Sequence, residues 1–410
     1  KSVMDRDVID RVRKDTVGCN HDLIHFNNAG ASLMPDYVVN AQIEQIQLES
    51  QVGGYEAAEL TLDKTQSVYQ HCAQLINAQS VHEIAAMYNA TDAWQAPFYS
   101  FVKTLSQGDL ILTSSAEYGS SMIPYMQSIG MYGIRIEILA DDEYGQIDVL
   151  KLKKRLNSDD CTRIKLISIV HVPTNGGLVQ PAAEIGQLCR EYQVPFLLDT
   201  CQSVGQIDID VEKIECDALC ATGRKYLRGP RGVGFLYVKK DSVFDTIEPY
   251  KLDLYSAHVL NESEYVLESH ARRYESWERN YASWFGLGAA VEYAQALTMS
   301  AIESQIIFLS NDLREKLSQL PQVKCTDRGL FKCGIVGFVV ENTNAQDIFS
   351  YLKSHRINVS LSNASSTPTQ MRIDQLDKVI RASLHYYNEV NEIDQFIDAL
   401  RRYINAHGSS

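Results

Sequence analysis

Residues 194–238 read VPFLLDTCQSVGQIDIDVEKIECDALCATGRKYLRGPRGVGFLYV, and the fold is decided inside them. The run Val194 to Leu198 is apolar, too short for a helix, and closes on an acid, Asp199. Such a run predicts a buried parallel strand with a carboxylate at its C-terminal end. A second run, Ala218 to Ala221, leads into Thr222-Gly223-Arg224-Lys225, and a third, Gly234 to Val238, returns as a strand. Asp199 and Lys225 are therefore expected at the ends of neighbouring strands, where open α/β sheets place their ligands. A lone acid or lysine at a strand end is ordinarily only solvated. This pair has company: Gln202 three residues after the acid, Thr222 three before the lysine, and a glycine-rich segment beyond.

An amine and a carboxylate so placed suit pyridoxal phosphate chemistry. The lysine holds the aldehyde cofactor covalently, and the acid keeps its pyridine nitrogen protonated so that the ring can absorb a carbanion's electrons. Asp199-Thr-Cys-Gln202 followed by Thr222-Gly-Arg-Lys225 resembles the class V (cysteine desulfurase-like) family of fold type I pyridoxal phosphate enzymes, which carries Asp-x-x-Gln and then Ser/Thr-Gly-x-Lys. The resemblance implies an α/β large domain with a mostly parallel, seven-stranded-type sheet plus a small α+β C-terminal domain. It also implies pyridoxal 5′-phosphate as cofactor, with Lys225 and Asp199 catalytic and Gln202 and Thr222 beside the ring.

Upstream, strand and helix patterns alternate from residue 84, which by itself predicts an α/β class with a largely parallel sheet. Ile84 to Tyr88 reads as a strand, Asn89 to Ala93 as a turn, and a helix begins near Trp94. A strand, a small polar turn and a helix start aim backbone N–H groups at an anion. By resemblance this turn holds the cofactor phosphate, through Thr91 and the main-chain donors of Asp92 and Ala93. After the next strand, Asp109 to Thr113, the family usually has Glu-His, its imidazole stacked on the pyridine. Here Glu117-Tyr118 stands, so Tyr118 takes the stacking place and acid–base duty falls on Lys225. The strand Ile164 to His171 ends in Val172-Pro-Thr-Asn-Gly-Gly177, where relatives use an Asn toward the cofactor. Counting back from Asp199 reaches Thr174; Asn175 is preferred because an amide both donates and accepts. His171 reads as a core histidine at a strand end.

Further out, residues 1–20 form an amphipathic segment expected to pack with the small domain. His25 to Ser32 is a small-residue loop, which the resemblance places over the cofactor, with Asn28 contacting substrate. Residues 21–285 are expected to form the large domain and 286–410 the small one, linked through a long apolar helix from Tyr281. The preceding segment, 272–280, corresponds to one that in the family reaches the partner's cofactor in a homodimer. The usual Thr-Pro is replaced by Glu278-Arg279, which leaves Arg279 or Asn280 to serve or Arg279 to sit at a surface helix start. Arg381-Ala-Ser-Leu-His-Tyr-Tyr-Asn388 matches the family's Arg-x-Ser-x-x-x-Tyr-Asn, whose Arg forks onto the substrate carboxylate, a task that suits a guanidinium.

The bulk numbers exclude several classes. A formal charge of −14 without a basic block argues against nucleic acid. No apolar run approaches the ~20 residues of a membrane span, and no signal-peptide layout opens the chain, which reads as cytoplasmic. Nine scattered cysteines without a CxxC pair read as reduced thiols; Cys216 and Cys220 read as core, and no metal site is expected.

As to the reaction, persulfide-forming desulfurases carry a cysteine shortly before the carboxylate-binding Arg. No cysteine lies between Cys333 and Arg381, where the loop reads Asn363-Ala-Ser-Ser-Thr-Pro-Thr369. Gly-Arg-Lys-Tyr-Leu-Arg-Gly-Pro-Arg-Gly, Glu-Tyr-Gly-Ser and Tyr-Glu-Ser-Trp-Glu are most similar to the hercynylcysteine sulfoxide lyases of the ergothioneine pathway. The leading expectation is a carbon–sulfur β-lyase that releases a sulfur product with pyruvate and ammonia, Arg224 meeting an anionic or sulfoxide oxygen. The alternatives are a class V aminotransferase or amino-acid epimerase, and a non-catalytic pyridoxal phosphate-binding protein.

Overall fold

The computed structural model describes residues 3–407. Seven strands make the central sheet: β1 (Ile84–Met87), β2 (Leu110–Thr113), β3 (Arg135–Ile138), β4 (Ile164–Val170), β5 (Phe196–Asp199), β6 (Ala218–Thr222) and β7 (Gly234–Val238). Their spatial order is β1-β7-β6-β5-β4-β2-β3. The pairs from β6 across to β3 are parallel, whereas β7 runs antiparallel to both β6 and β1. The sheet is thus mostly parallel, as the alternating pattern predicts.

The inner strands are apolar throughout because both faces are covered. Leu198 and Leu219 join one core cluster with Ile185, Leu188, Trp284 and Leu287, contributed by helices on one side. Leu197, Ala218 and Cys220 join a second, with Trp94, Phe98, Phe101 and Tyr125 on the other. Successive residues of a strand therefore feed opposite cores, as a period of two demands.

The smaller unit is a four-stranded sheet of β8 (Val323–Cys325), β9 (Ile335–Val340), β10 (Ser360–Asn363) and β11 (Lys378–Ser383), ordered β8-β9-β11-β10 and antiparallel throughout. Helices Met299–Ser318, Ala345–Ser354 and Val390–His407 cover it. Two expected boundaries move. Ile24–His25 pairs with Ile357–Asn358, and Phe26 is buried in the small unit's core, so residues 24–27 belong with that unit rather than the large one. The boundary at 285/286 falls inside helix Tyr281–Leu297, which packs on helices Asp36–Val52 and Leu62–Leu75; the chain turns away at Thr298, whose φ is 67°. The first helix, Arg6–Lys14, is tied to the C-terminal region by Arg13, which donates to the Tyr387 carbonyl at 2.7 Å and pairs with Glu392 at 3.1 Å.

Candidate active site

A cavity of about 480 Å³ opens at the C-terminal ends of β4, β5 and β6, and both Asp199 and Lys225 line it. Asp199 is nearly buried, its Oδ1 accepting from the Cys201 N–H at 2.9 Å. Lys225 is 9% exposed and has no ion pair among the described residues, so burial pushes its amine down to about 8 against the pull of Asp199. Arg224 and Arg381 add repulsion in the same direction. A tight loop holds the lysine: Gly223 accepts from the Gly229 N–H at 2.7 Å, and Arg228 adopts a φ of 61°. Gly205 is required where the chain leaving Gln202 crosses that loop. Its φ is 96°, and a Cβ there would lie 2.4 Å from the Tyr226 carbonyl carbon.

One wall is the start of helix Ala90–Val102. Asn89 caps it, its Oδ1 accepting from the Asp92 N–H at 2.8 Å. Thr91 lines the cavity. Asp92 and Ala93 do not supply the expected donors: the Asp92 N–H is taken by the Asn89 side chain and the Ala93 N–H by the Asn89 carbonyl at 3.0 Å. Ala93 is moreover buried in the core. The N–H groups of Ala90 and Thr91, with no intrahelical acceptor, are the open ones. From sequence Asn89 is only the first residue of a turn; an asparagine directly before a helix start is also the signal of an N-cap, which is the place it takes here.

Tyr118, 40% exposed, stands at the N-cap position of helix Gly119–Tyr132 and lines the cavity. Gln202 donates to the Ala29 carbonyl at 3.1 Å and the Thr174 hydroxyl at 3.2 Å, while its Oε1 is buried without a partner. Thr222 completes the wall beside the lysine.

Two expected residues are displaced. Thr174, not Asn175, faces the cavity; the Asn175 amide turns the other way and donates to the Thr367 hydroxyl at 2.7 Å. Asn28 is fully buried, donating to the Ser383 carbonyl at 2.9 Å and accepting from the Tyr387 hydroxyl. It staples the N-terminal loop to the Arg381 motif and touches no open space. Its neighbour Asn27 accepts from Arg381 at 3.1 Å. Arg381 also donates to the carbonyl and hydroxyl of Thr174, both at 2.9 Å, and so stands just behind the cavity wall. Burial lowers its pKa to about 10, and its Nε has no partner. Arg224 lines the cavity but gives one N–H to the Gly30 carbonyl. Arg279 is engaged within its own chain by Glu275 and the Tyr69 hydroxyl, both at 2.7 Å, and Asn280 caps helix Tyr281–Leu297.

An amine and an acid on adjacent strand ends, with a helix start across one cavity, is the geometry the family motifs imply. The model for "Aminotransferase class-V" matches residues 24–396. The chain belongs to the aminotransferase class-V family. Like its relatives it is an enzyme with pyridoxal 5′-phosphate as cofactor. A probable cysteine desulfurase of Pyrococcus abyssi is 28% identical to it, over 97% of this chain and 98% of that one. The apo structure of a cysteine desulfurase from Thermococcus onnurineus superimposes with a TM-score of 0.88 at 25% identity, covering 97% and 98% of the two chains. A complex of the cystine C–S lyase C-DES with its product cysteine persulfide gives 0.81 at 25% identity, covering 92% and 97%.

The residues present in this class-V enzyme fit the cofactor. Lys225, with no ion pair among the described residues, lines one cavity with Asp199, Thr222 and the helix start at Ala90–Thr91, while Gln202 at its wall keeps a buried Oε1 without a partner. The site's other buried acid, Glu117, is raised to about 8 by burial while holding the Ser114 hydroxyl and the Val170 N–H. No helix among the described residues is long and apolar enough to cross a membrane.

Proposed function

We propose that this class-V enzyme is a carbon–sulfur β-lyase, acting on a cysteine S-conjugate or its sulfoxide of the hercynylcysteine sulfoxide type. The reaction takes up water and releases the sulfur fragment as a thiol or sulfenate, with pyruvate and ammonia. The observation that carries the reading is the unpaired Lys225 amine, lowered to about 8, lining one cavity with Asp199. An amine in that range takes a proton at neutral pH and returns it. Support for sulfur chemistry comes from the relatives, named as cysteine desulfurases and a cystine C–S lyase. The segment before Arg381 narrows the outcome. Residues 363–369 carry Ser and Thr but no thiol, and Ser365 lies against Gly119 beside Tyr118. A hydroxyl does not accept sulfane sulfur, so the sulfur fragment leaves without a persulfide relay on that loop.

When bound, pyridoxal 5′-phosphate supplies the electron sink that makes the substrate's α-proton acidic. The chain's residues do the rest. Lys225 Nζ would remove the α-proton, and the Asp199 carboxylate would keep the ring nitrogen protonated. Ala90, Thr91 and Thr222 bind the phosphate, with the helix dipole adding to the pull. Tyr118, which lines the cavity, would offer its ring to a face of the cofactor. Thr174 and Gln202 orient the ring's polar edge. Arg381, held just behind the cavity wall by Thr174 and Asn27, would take the substrate carboxylate in exchange for those contacts, and Arg224 would take the sulfoxide oxygen. A homodimer and a cytoplasmic setting complete the proposal. Exposed Ile43, Ile46, Leu60 and Leu62 offer an apolar face for a second copy, and nine free cysteines suit a reducing compartment.

The test is product analysis with a cysteine S-conjugate sulfoxide, cysteine and cystine. Pyruvate formed from the sulfoxide without any keto-acid acceptor supports the lyase. Alanine from cysteine points to desulfuration, and one turnover that waits for a keto acid points to transamination. Either of those outcomes overturns the reading.

A further inference from the structure

The stretch that delivers Asp199 also brings two thiols together beneath the cavity. Cys201 lines the cavity, and Cys220 stands on β6 opposite Asp199 in the parallel register. Their Sγ atoms are 3.8 Å apart. Both sulfurs and a carboxylate oxygen of Asp199 lie within 4.8 Å of one another, and all three residues are buried. A Zn–S bond of about 2.3 Å at the tetrahedral angle gives a sulfur–sulfur edge of about 3.8 Å. The thiols therefore already stand at the separation that a tetrahedral thiolate site needs.

We propose that Asp199, Cys201 and Cys220 form a site for a thiophilic divalent cation such as Zn²⁺, filled only when the cofactor is absent. Binding replaces two thiol protons: the cation, two neutral thiols and one carboxylate become a bis-thiolate carboxylate complex and two protons. The complex carries one negative charge, which Lys225 on the same cavity offsets. The fourth position faces the cavity and takes water. Two sulfurs and one carboxylate select Zn²⁺, Cd²⁺ or Co²⁺ over Mg²⁺ and Ca²⁺, which prefer oxygen. The metal site stands on its own geometry; its exclusion of the cofactor rests on the reading that Asp199 faces the ring nitrogen. One carboxylate cannot serve both, so such cations block assembly of the holoenzyme.

The experiment uses the full chain, reduced and freed of cofactor, with Co²⁺ as probe. One Co²⁺ is expected per chain, with a thiolate-to-cobalt charge-transfer band and two protons released. Cys201→Ala abolishes the band and weakens Co²⁺ binding at least a hundredfold. Because a Cys220 variant opens the core, Cys201→Ala is the decisive one, and its uptake of pyridoxal phosphate shows that it has folded. Zn²⁺-loaded chain takes up no pyridoxal phosphate until a chelator is added. The proposal is overturned if the band is absent, if it survives Cys201→Ala, or if Co²⁺ and pyridoxal phosphate bind together. Uptake of pyridoxal phosphate without Co²⁺ binding defeats this inference alone, whereas a metal-free chain that refuses pyridoxal phosphate defeats the cofactor reading instead.

Discussion

Lys225→Met, measured in the cofactor-free chain, tests the central electrostatic claim. Methionine has nearly the same length and volume, so packing is conserved and the charge alone is removed. Burial lowers the Lys225 pKa from 10.5 to about 8. The folded state thus binds this proton less well than the unfolded state, and the stability cost is greatest where both are protonated, below about pH 8. It is relieved as pH rises from about 8 toward 10.5, where the unfolded chain still carries the proton and the folded one has lost it. A shift of that size corresponds to about 3 kcal/mol at pH 7, about 2 at pH 9 and about 1 at pH 10. Lys225→Met should therefore be more stable than the natural chain, by an amount that shrinks in that order. Chemical denaturation at the three pH values, followed by tryptophan fluorescence, measures it. A variant that is less stable at pH 7, or a difference that does not depend on pH, would falsify the reasoning. The same variant should lose the covalent cofactor chromophore entirely.

Asp199→Asn keeps the shape of the strand end but removes the charge proposed to hold the ring nitrogen protonated; β-elimination should fall about 100- to 1,000-fold, read from pyruvate release, with cofactor retained less well on gel filtration. Arg381→Lys keeps the positive charge but loses the fork, so KM for the amino-acid substrate should rise about tenfold or more while kcat changes little. Gly205→Ala places a Cβ 2.4 Å from the backbone of the lysine loop at a φ of 96°, and should cost about 2 kcal/mol or more, seen as a lower melting temperature together with slower cofactor uptake.

The strands were legible because burial on both faces writes itself as uninterrupted apolar runs. Asp199, Thr222 and Lys225 were placed by that rule and by their motifs, and they meet on one cavity. Side-chain direction was not legible. Asn27 and Asn28 are adjacent and chemically identical, yet one meets Arg381 and the other is sealed under Tyr387. Thr174 and Asn175 divide in the same way, one toward the cavity and one toward Thr367. In each pair the backbone's rotation through the loop decides, and no periodic pattern records that rotation.

What the sequence alone determined is the order of strands and helices, the family, and the amine and acid that strand ends must present, because hydrophobic period and motif spacing are local properties. Only the tertiary structure decided which loop side chains look inward, how far burial lowers the lysine, and that Cys201, in the turn after one strand, meets Cys220 on the next. Desolvation and cross-strand proximity arise from residues distant in the chain, and they come into being only when the sheet closes.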